Sequence, residues 1–512
     1  MHATRAGGAR VIRKTNTWRE VPTEASGVIV DAAAYYRAFC DAARAAQRYI
    51  LMSGWQFSSG VHLLRGDDAR PGKDARFLRF LNGLCERRPD LQVFILAWDF
   101  HLVFALEREW MQRVIFRLMA APGIHFRFDD STVPGGAHHQ KFVVVDGSLA
   151  FVGGIDLCEA RWDDRRHLAA NPLRRSRGRA DKPYHDLQAY LAGPAAAALA
   201  DLFAERWARA AGAALTLPAA APLPVRFERN AEILPLGGGS VALSRTDPRV
   251  GTATVREVER LLVDAIDAAE RLIYIETQYF SSWRVYQALS RRMRAADRGH
   301  LEIVVVVNER AEALKEEVAV GLRQARIVEG LRATAAETGH ALGVYYTCCH
   351  GDDPGARATY IHSKLVTVDD RFLTVGSANL TNRSMGLDSE LQASWEARAP
   401  DDPRARAIRR LRVSLLAEHC GSARRDVLRR LVRVEGLVAC LDELAARADV
   451  RLDRHGPPTR AQRVALALLD PEELPFDSDG APGGGDEPAE PPVARIRSAL
   501  RRLTAMGRPG AG

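Results

Sequence analysis

Two short stretches of this chain carry the residue types of phosphoryl chemistry. The first is His139-Gln140-Lys141, with Asp146-Gly147 after four intervening residues. The second is His362-Ser363-Lys364, with Asp369 at the same offset. Two imidazoles and two ammonium groups, if brought together, suit a phosphodiester. One imidazole can attack phosphorus as a nucleophile; the other can protonate the leaving oxygen and later activate the incoming one. Lys141 and Lys364, with Ser377 and Asn379, can hold the non-bridging oxygens where charge builds up. The scheme needs no metal and no cofactor.

One His-x-Lys is a weak signal; its repetition is a strong one. Both copies are rich in β-branched residues, so both read as strands, on which residues two apart share a face. Asp146-Gly147 is a hairpin-turn dipeptide, and the second copy turns at Asp369-Asp370-Arg371. The return strands run into Gly153-Gly154-Ile155-Asp156 and Gly376-Ser377-Ala378-Asn379. Small residues such as Gly154 let the backbone and short polar groups such as Asp156 approach a ligand. The strand alternation carries Asp146 and Asp369 away from the lysine face, so they read as anchors at the strand ends.

Around each copy the elements alternate. In the first half, helices about 31–48, 75–88 and 105–120 separate strands 49–52, 91–97 and 124–128. In the second, helices about 254–271, 283–296 and 310–338 separate strands 272–275, 301–307 and 341–346. This order predicts an α/β fold of two pseudo-twofold-related halves, each a mixed sheet flanked by helices, with a helical C-terminal extension. Ligands in such sheets sit at the carboxyl ends of strands, which makes Trp98 a candidate pocket wall. The expected division is a segment 1–30, a first half 31–213 closed by a helix from about 186 to 213, and a linker 214–250 containing Pro and Gly breaks. A second half 251–421 and a tail 422–512 follow, the tail acidic and disordered over 476–492. Residues 402–420 read as a helix packed through a narrow face of Ile408, Leu411, Leu415 and Leu416. The basic run Arg174 to Lys182 reads as a solvated loop or as an anion-contacting rim.

Further motifs resemble the phospholipase D superfamily, the double His-x-Lys phosphodiesterases. Gly153-Gly154-Ile155-Asp156-Leu157 with Arg161-Trp162-Asp163-Asp164, Pro183-Tyr184-His185-Asp186 and Ile275-Glu276-Thr277-Gln278-Tyr279-Phe280 follow the family's order. So do Gly376 to Asn379, Asn382-Arg383-Ser384 and Asp388-Ser389-Glu390. The resemblance covers roughly residues 30–420 and departs mildly at Tyr184 and Thr277. It implies a phosphohistidine on His139, with His362 as general acid and then base, although the pseudo-symmetry allows the reverse. It implies Glu390 and, more loosely, Asp186 as the carboxylates that orient the imidazoles. Of the neighbouring histidines, His185 is expected to touch substrate more than His138. The expected activity is hydrolysis of glycerophospholipids to phosphatidic acid and free headgroup, or transfer of the phosphatidyl group to an alcohol. A cardiolipin-synthase-like transferase or a nuclease of the same superfamily are the rivals.

Composition narrows the setting. The 512 residues are 47% hydrophobic and 27% charged, as in a globular protein. A net charge of +8 favours anionic partners, either phospholipid surfaces or nucleic acid, without choosing between them; the resemblance implies a phospholipid substrate on a peripheral membrane surface, with no obligatory nucleic acid. Seven cysteines, an odd number with no CxxC pair, predict a reducing compartment, no disulfide framework and no zinc site; Cys348-Cys349-His350 reads as a strand end. No secretory signal opens the sequence, and no stretch approaches the roughly 18 apolar residues of a spanning helix. The expectation is a cytoplasmic protein, peripheral to the inner membrane at most.

Overall fold

The computed structural model describes residues 10–460 apart from 70–74, 100–108, 110, 250, 311–319, 349–357 and 400, together with 462, 463, 466 and 477. Parts of the helices expected over 105–120 and 310–338, Cys349-His350, and the acidic tail apart from Asp477 lie outside the described residues.

Two mixed sheets face each other. The first runs, edge to edge, through Ile233–Pro235, Ser26–Val30, Leu187–Ala192, Leu149–Gly153, Phe142–Val145, Tyr49–Gly54, Gln92–Trp98 and Ile124–Asp129. The second runs through Arg19–Thr23, Gly239–Asp247, Glu390–Glu396, Phe372–Gly376, Leu365–Val368, Leu272–Glu276, Glu302–Val306, Ala341–Thr347 and Leu452–Arg454. The same pattern of parallel and antiparallel neighbours recurs from Ser26–Val30 to Ile124–Asp129 and from Gly239–Asp247 to Ala341–Thr347. The internal repeat is therefore a repeat of sheet order.

One face of each sheet joins a shared apolar core, which also takes in the helices Pro194–Ala211 and Pro403–His419. The opposite face of the first sheet packs on the helices Ala32–Ala45 and Phe77–Arg87. That of the second packs on Glu257–Ala268, Trp283–Arg294 and Leu322–Thr338. A strand buried on both faces reads as an unbroken apolar run, which explains Leu272–Glu276 and Glu302–Val306.

Several expectations change. His139 and Lys141, like His362 and Lys364, stand just before their strands, which begin at Phe142 and Leu365. The stretch 187–192 is a central strand, and the helix starts only after Gly193, whose φ of 79° ends the strand, with Pro194 at the first helical position. The presumed linker supplies Gly239–Asp247, a nine-residue inner strand of the second sheet. The presumed N-terminal segment supplies a strand to each sheet. Short apolar runs flanked by glycines hide such strands from periodicity. Pro403–His419 is buried on most sides, because it lies between the halves. The Arg174–Lys182 run forms a two-residue hairpin, with Arg174 buried against Asp163 and Arg175 and Arg179 exposed.

The two turns after the His-x-Lys segments have positive φ at both central residues, Asp146 and Gly147, and Asp369 and Asp370. Asp146 accepts from the backbone N–H groups of Gln47, Arg48 and Tyr49 at 2.7–2.9 Å. Asp369 accepts from Glu270, Arg271 and Leu272 at 2.7–2.8 Å. Each carboxylate ties its hairpin to the entrance of the neighbouring strand. Asp146→Ala strips three N–H groups of their acceptor and is expected to cost about 3 kcal/mol. A urea titration checks this; Asp146→Asn, which keeps one acceptor oxygen, should lose less.

Candidate active site

The two His-x-Lys segments meet where the sheets meet, and each is held by the other half. His139 N donates to Ser389 O at 3.0 Å, and His362 N donates to His185 O at 2.8 Å. These contacts bring the next residue of each partner strand under the imidazole. His139 Nδ1 lies 3.0 Å from both oxygens of Glu390, and His362 Nδ1 lies 2.6 Å from Asp186 Oδ2. Both carboxylates are fully buried, whereas the His139 side chain keeps 16% of its surface exposed and His362 8%.

The small residues serve this pairing. A Cβ on Gly154 would fall 2.2 Å from Asp186 Oδ1, so Gly154 makes room for the carboxylate that orients His362 rather than for a ligand. Ser377 stands behind Glu390: its hydroxyl donates to Oε2, and Ser384 donates to Oε1 at 2.7 Å. Its proton is thus committed to the carboxylate, not offered to phosphate as expected.

The lysines are fixed by short tethers. Lys141 Nζ donates to His139 O at 3.2 Å and pairs with Asp156 at 3.5 Å. Asp156 also accepts from Trp55 N, so it positions Lys141 rather than substrate. Lys364 Nζ donates to His362 O and to Gln278 Oε1, the latter at 3.1 Å. Asn379 Nδ2 lies 3.4 Å from the same Gln278 oxygen, and its Oδ1 has no partner among the described residues. Trp98 stacks on Trp55 with centroids 6.0 Å apart and packs against Ala137, two residues before His139.

Electrostatics follow from burial and from this crowd of cations. Burial, with Lys141 and Lys364, holds His139 well below the ordinary imidazole range. Burial, with Lys364, Arg161 and Lys141, does the same to His362. Burial pushes Glu390 and Asp186 up to about 7, against the hydrogen bond from Ser377 in one case and the charge of Lys364 in the other. Lys364 is lowered to about 7, mainly by burial. Both imidazoles are therefore neutral at rest. Nδ1–H is given to a carboxylate, and Nε2 keeps a lone pair.

Two residues of the site escaped the sequence reading. Gln278 bridges Lys364, Asn379 and the hydroxyl of Tyr360. Arg161 lies with its guanidinium 5.0 Å from the Tyr184 ring centroid, and its buried Nε finds no acceptor among the described residues. Both stood within motifs quoted for resemblance alone; a polar residue inside a motif otherwise read for its acid was the available signal.

His185 does not reach the substrate side. It is completely buried, with Nδ1 at 3.0 Å from Asp31 and 3.1 Å from Glu418, and Nε2 at 3.0 Å from Glu276. His167 joins the same cluster through Asp163 and Glu418, and His419 through Glu276. His138 is likewise buried, between Asp129 and Ser389. Asp31 holds a positive φ of 67°, which is costly for a residue with a Cβ, and its backbone N–H donates to Asp186 O. The cluster thus sits directly beneath the His362–Asp186 pair. Two sets, Asp31, His167, His185 and Glu418, and His185, Glu276 and His419, have ligand atoms close enough to hold a cation.

The cluster also stores pH-dependent stability. Burial works to neutralise His167, but Asp31, Asp163 and Glu418 outweigh it and raise His167 to about 9. A raised imidazole stabilises the fold fully below its unfolded value of about 6.5 and loses that contribution as pH rises through about 9, on the order of 3 kcal/mol. Unfolding midpoints in urea should therefore fall between pH 7 and 9.5. His167→Gln should flatten that slope; an unchanged slope would refute the assignment.

A family profile described as "Cardiolipin synthase, PLD-like domain" matches residues 262–405. Phospholipase D alpha 3 of Arabidopsis thaliana is 25% identical, over 69% of this chain and 58% of its own length. Phospholipase D A of Dictyostelium discoideum is 26% identical, over 71% of this chain and 32% of its own. The chain therefore spans less than two thirds of these relatives. Among solved structures, the phosphatidylserine synthase of Haemophilus influenzae superposes with a TM-score of 0.48 and 13% identity, covering 85% of this chain and 97% of that one. The paired His-x-Lys segments with their motifs in family order, the matched profile and the phospholipase D relatives support the chain as a member of the phospholipase D superfamily of phosphodiester hydrolases and transferases.

Proposed function

We propose that the protein is a phospholipase D-type enzyme acting on glycerophospholipids through a phosphohistidine, without a catalytic metal. The observation that carries the reading is the crossed pair of imidazole–carboxylate contacts beside two buried lysines. His139 Nε2 attacks phosphorus, the P–O bond to the headgroup breaks, and His362 gives its Nε2 proton to the leaving oxygen. Water or an alcohol then loses a proton to His362 Nε2 as its oxygen attacks phosphorus and the P–N bond breaks. Protons and atoms balance over the cycle. An anionic phosphodiester seated between Lys141, Lys364 and Asn379 offsets the charges that keep His362 neutral, so substrate binding itself prepares the acid. The greater exposure of His139 supports its role as nucleophile.

The lipid assignment rests on the relatives named phospholipase D, and the profile name favours transfer as a second outcome of the same chemistry. No helix among the described residues is long and apolar enough to cross a membrane. Met111, Val114, Leu118 and Met119 are exposed on and beside the helix Gln112–Met119, next to exposed Arg113 and Arg117. Such a surface suits peripheral contact with an anionic bilayer.

The test uses mixed phospholipid vesicles with a small primary alcohol, with and without chelator. Phosphatidyl-alcohol and phosphatidic acid should form equally in both, and His139→Ala should lower the rate by roughly 10⁴-fold or more. Absence of any lipid product would refute the lipid reading and turn attention to single-stranded and duplex nucleic acid. Loss of activity with chelator would refute the metal-free scheme.

A further inference from the structure

The leaving-group side of the site is built from two tyrosines. Tyr184 and Tyr360 pair in adjacent parallel segments, each two residues before a key group, Asp186 in one and His362 in the other. Their ring centroids are 5.6 Å apart and lie 5.4 and 6.3 Å from the His362 imidazole. His362 serves the leaving headgroup and the incoming acceptor, so these rings flank the path of both. Two such rings could hold a quaternary ammonium headgroup by cation–π contact.

Here the chain's own cations already occupy both rings. Lys182 Nζ lies 3.5 Å from the Tyr360 centroid, and the Arg161 guanidinium covers Tyr184. Arg161 Nε is buried without an acceptor among the described residues. A buried donor without a partner is costly, and an incoming anion would relieve it. Lys182 is half-buried, at the end of the basic run Arg174 to Lys182. The Arg161 charge adds to those of Lys141 and Lys364 around His362. A trimethylammonium group would meet like charge and find its rings taken; an anion would meet two donors.

Resting on the phosphatidyl-transfer reading, we infer that Arg161 and Lys182 form a second anion subsite. It takes a phosphate or carboxylate carried by the departing headgroup or by the acceptor alcohol, and it selects against choline. Arg161 and Lys182 would then determine specificity without taking part in bond making.

Two arms separate the sources of the anion. Short-chain lipids kept below their critical micelle concentration remove any effect of surface charge. In the headgroup arm, wild type hydrolyses dihexanoyl-phosphatidylserine against dihexanoyl-phosphatidylcholine. In the acceptor arm, glycerol 3-phosphate competes with glycerol for the phosphatidyl group of dihexanoyl-phosphatidylglycerol. The anionic partner should be preferred by about tenfold or more in at least one arm, the size of one hydrogen bond to a charged group. Lys182→Gln and Arg161→Gln should each reduce that ratio by about tenfold, while Arg425→Gln, an exposed arginine on a remote helix, keeps it. Equal use of both partners in both arms would overturn the inference. So would variants that slow every substrate alike, since Arg161 would then hold the reacting phosphate. If no lipid is turned over, the phosphatidyl-transfer reading fails separately, and calorimetry still judges the subsite. Wild type should bind glycerol 1,3-bisphosphate more tightly than glycerol 3-phosphate, and Lys182→Gln should lose that difference; no difference in wild type would sink the subsite.

Discussion

The structure depends on one crossed arrangement: each imidazole takes its carboxylate from the opposite half. Glu390 of the second half serves His139, and Asp186 of the first half serves His362. Neither half holds both members of an oriented pair. The backbone contacts from His139 N to Ser389 O and from His362 N to His185 O set the distance, and the carboxylates set the tautomer. The shared apolar core between the sheets can thus be understood as what holds the two crossed pairs in register.

Burial makes this arrangement demanding. Two neutral imidazoles, two lysines and two carboxylates in a nearly dry site are tolerable only if every polar atom finds a partner. Ser377 and Ser384 supply partners for Glu390, Gln278 for Lys364, and Asp156 for Lys141. Glycine at 154 lets Asp186 come close enough. What looks like a ligand-contacting set of small polar residues is in large part a scaffold for the acids and lysines. Asn379, Arg161 and Tyr184, each with a buried atom lacking a partner among the described residues, are groups left for a ligand.

Beneath the site lies a second, largely internal set of charges. Asp31, Asp163, Glu276 and Glu418 face Arg165, Arg174, His167 and His185. Their number balances when both imidazoles are protonated. The set ties the start of the first helix, the loop after the first hairpin, an inner strand of the second sheet and the helix Pro403–His419. Removing one member would leave a buried charge without its partner, which costs far more than a surface pair contributes. It supports Asp186 through Asp31, whose backbone N–H donates to Asp186 O and whose carboxylate accepts from Asp186 N, so one pole of the catalytic pair rests on it.

Much of this was legible in residue order. The two His-x-Lys segments, the Asp turns, Glu390 and the alternation of strands and helices are local patterns, and local patterns are what spacing and propensity encode. The anchoring role of Asp146 and Asp369 followed from strand alternation alone. The inner strand Gly239–Asp247 was hidden because a strand between glycines and prolines looks like a linker until its neighbours are known. Ser377, Asp156, Gly154 and His185 carry the right chemistry in the right motifs, yet the structure turns each of them toward another side chain. Which way a polar residue faces depends on groups far away in sequence: Glu390 for Ser377, Lys141 for Asp156, Glu276 and Glu418 for His185. Sequence by itself determined which chemical groups exist and which segments repeat. Only the tertiary structure decided which group meets which, because burial demands a partner for each polar atom, and for the two imidazoles that partner comes from the other half of the chain.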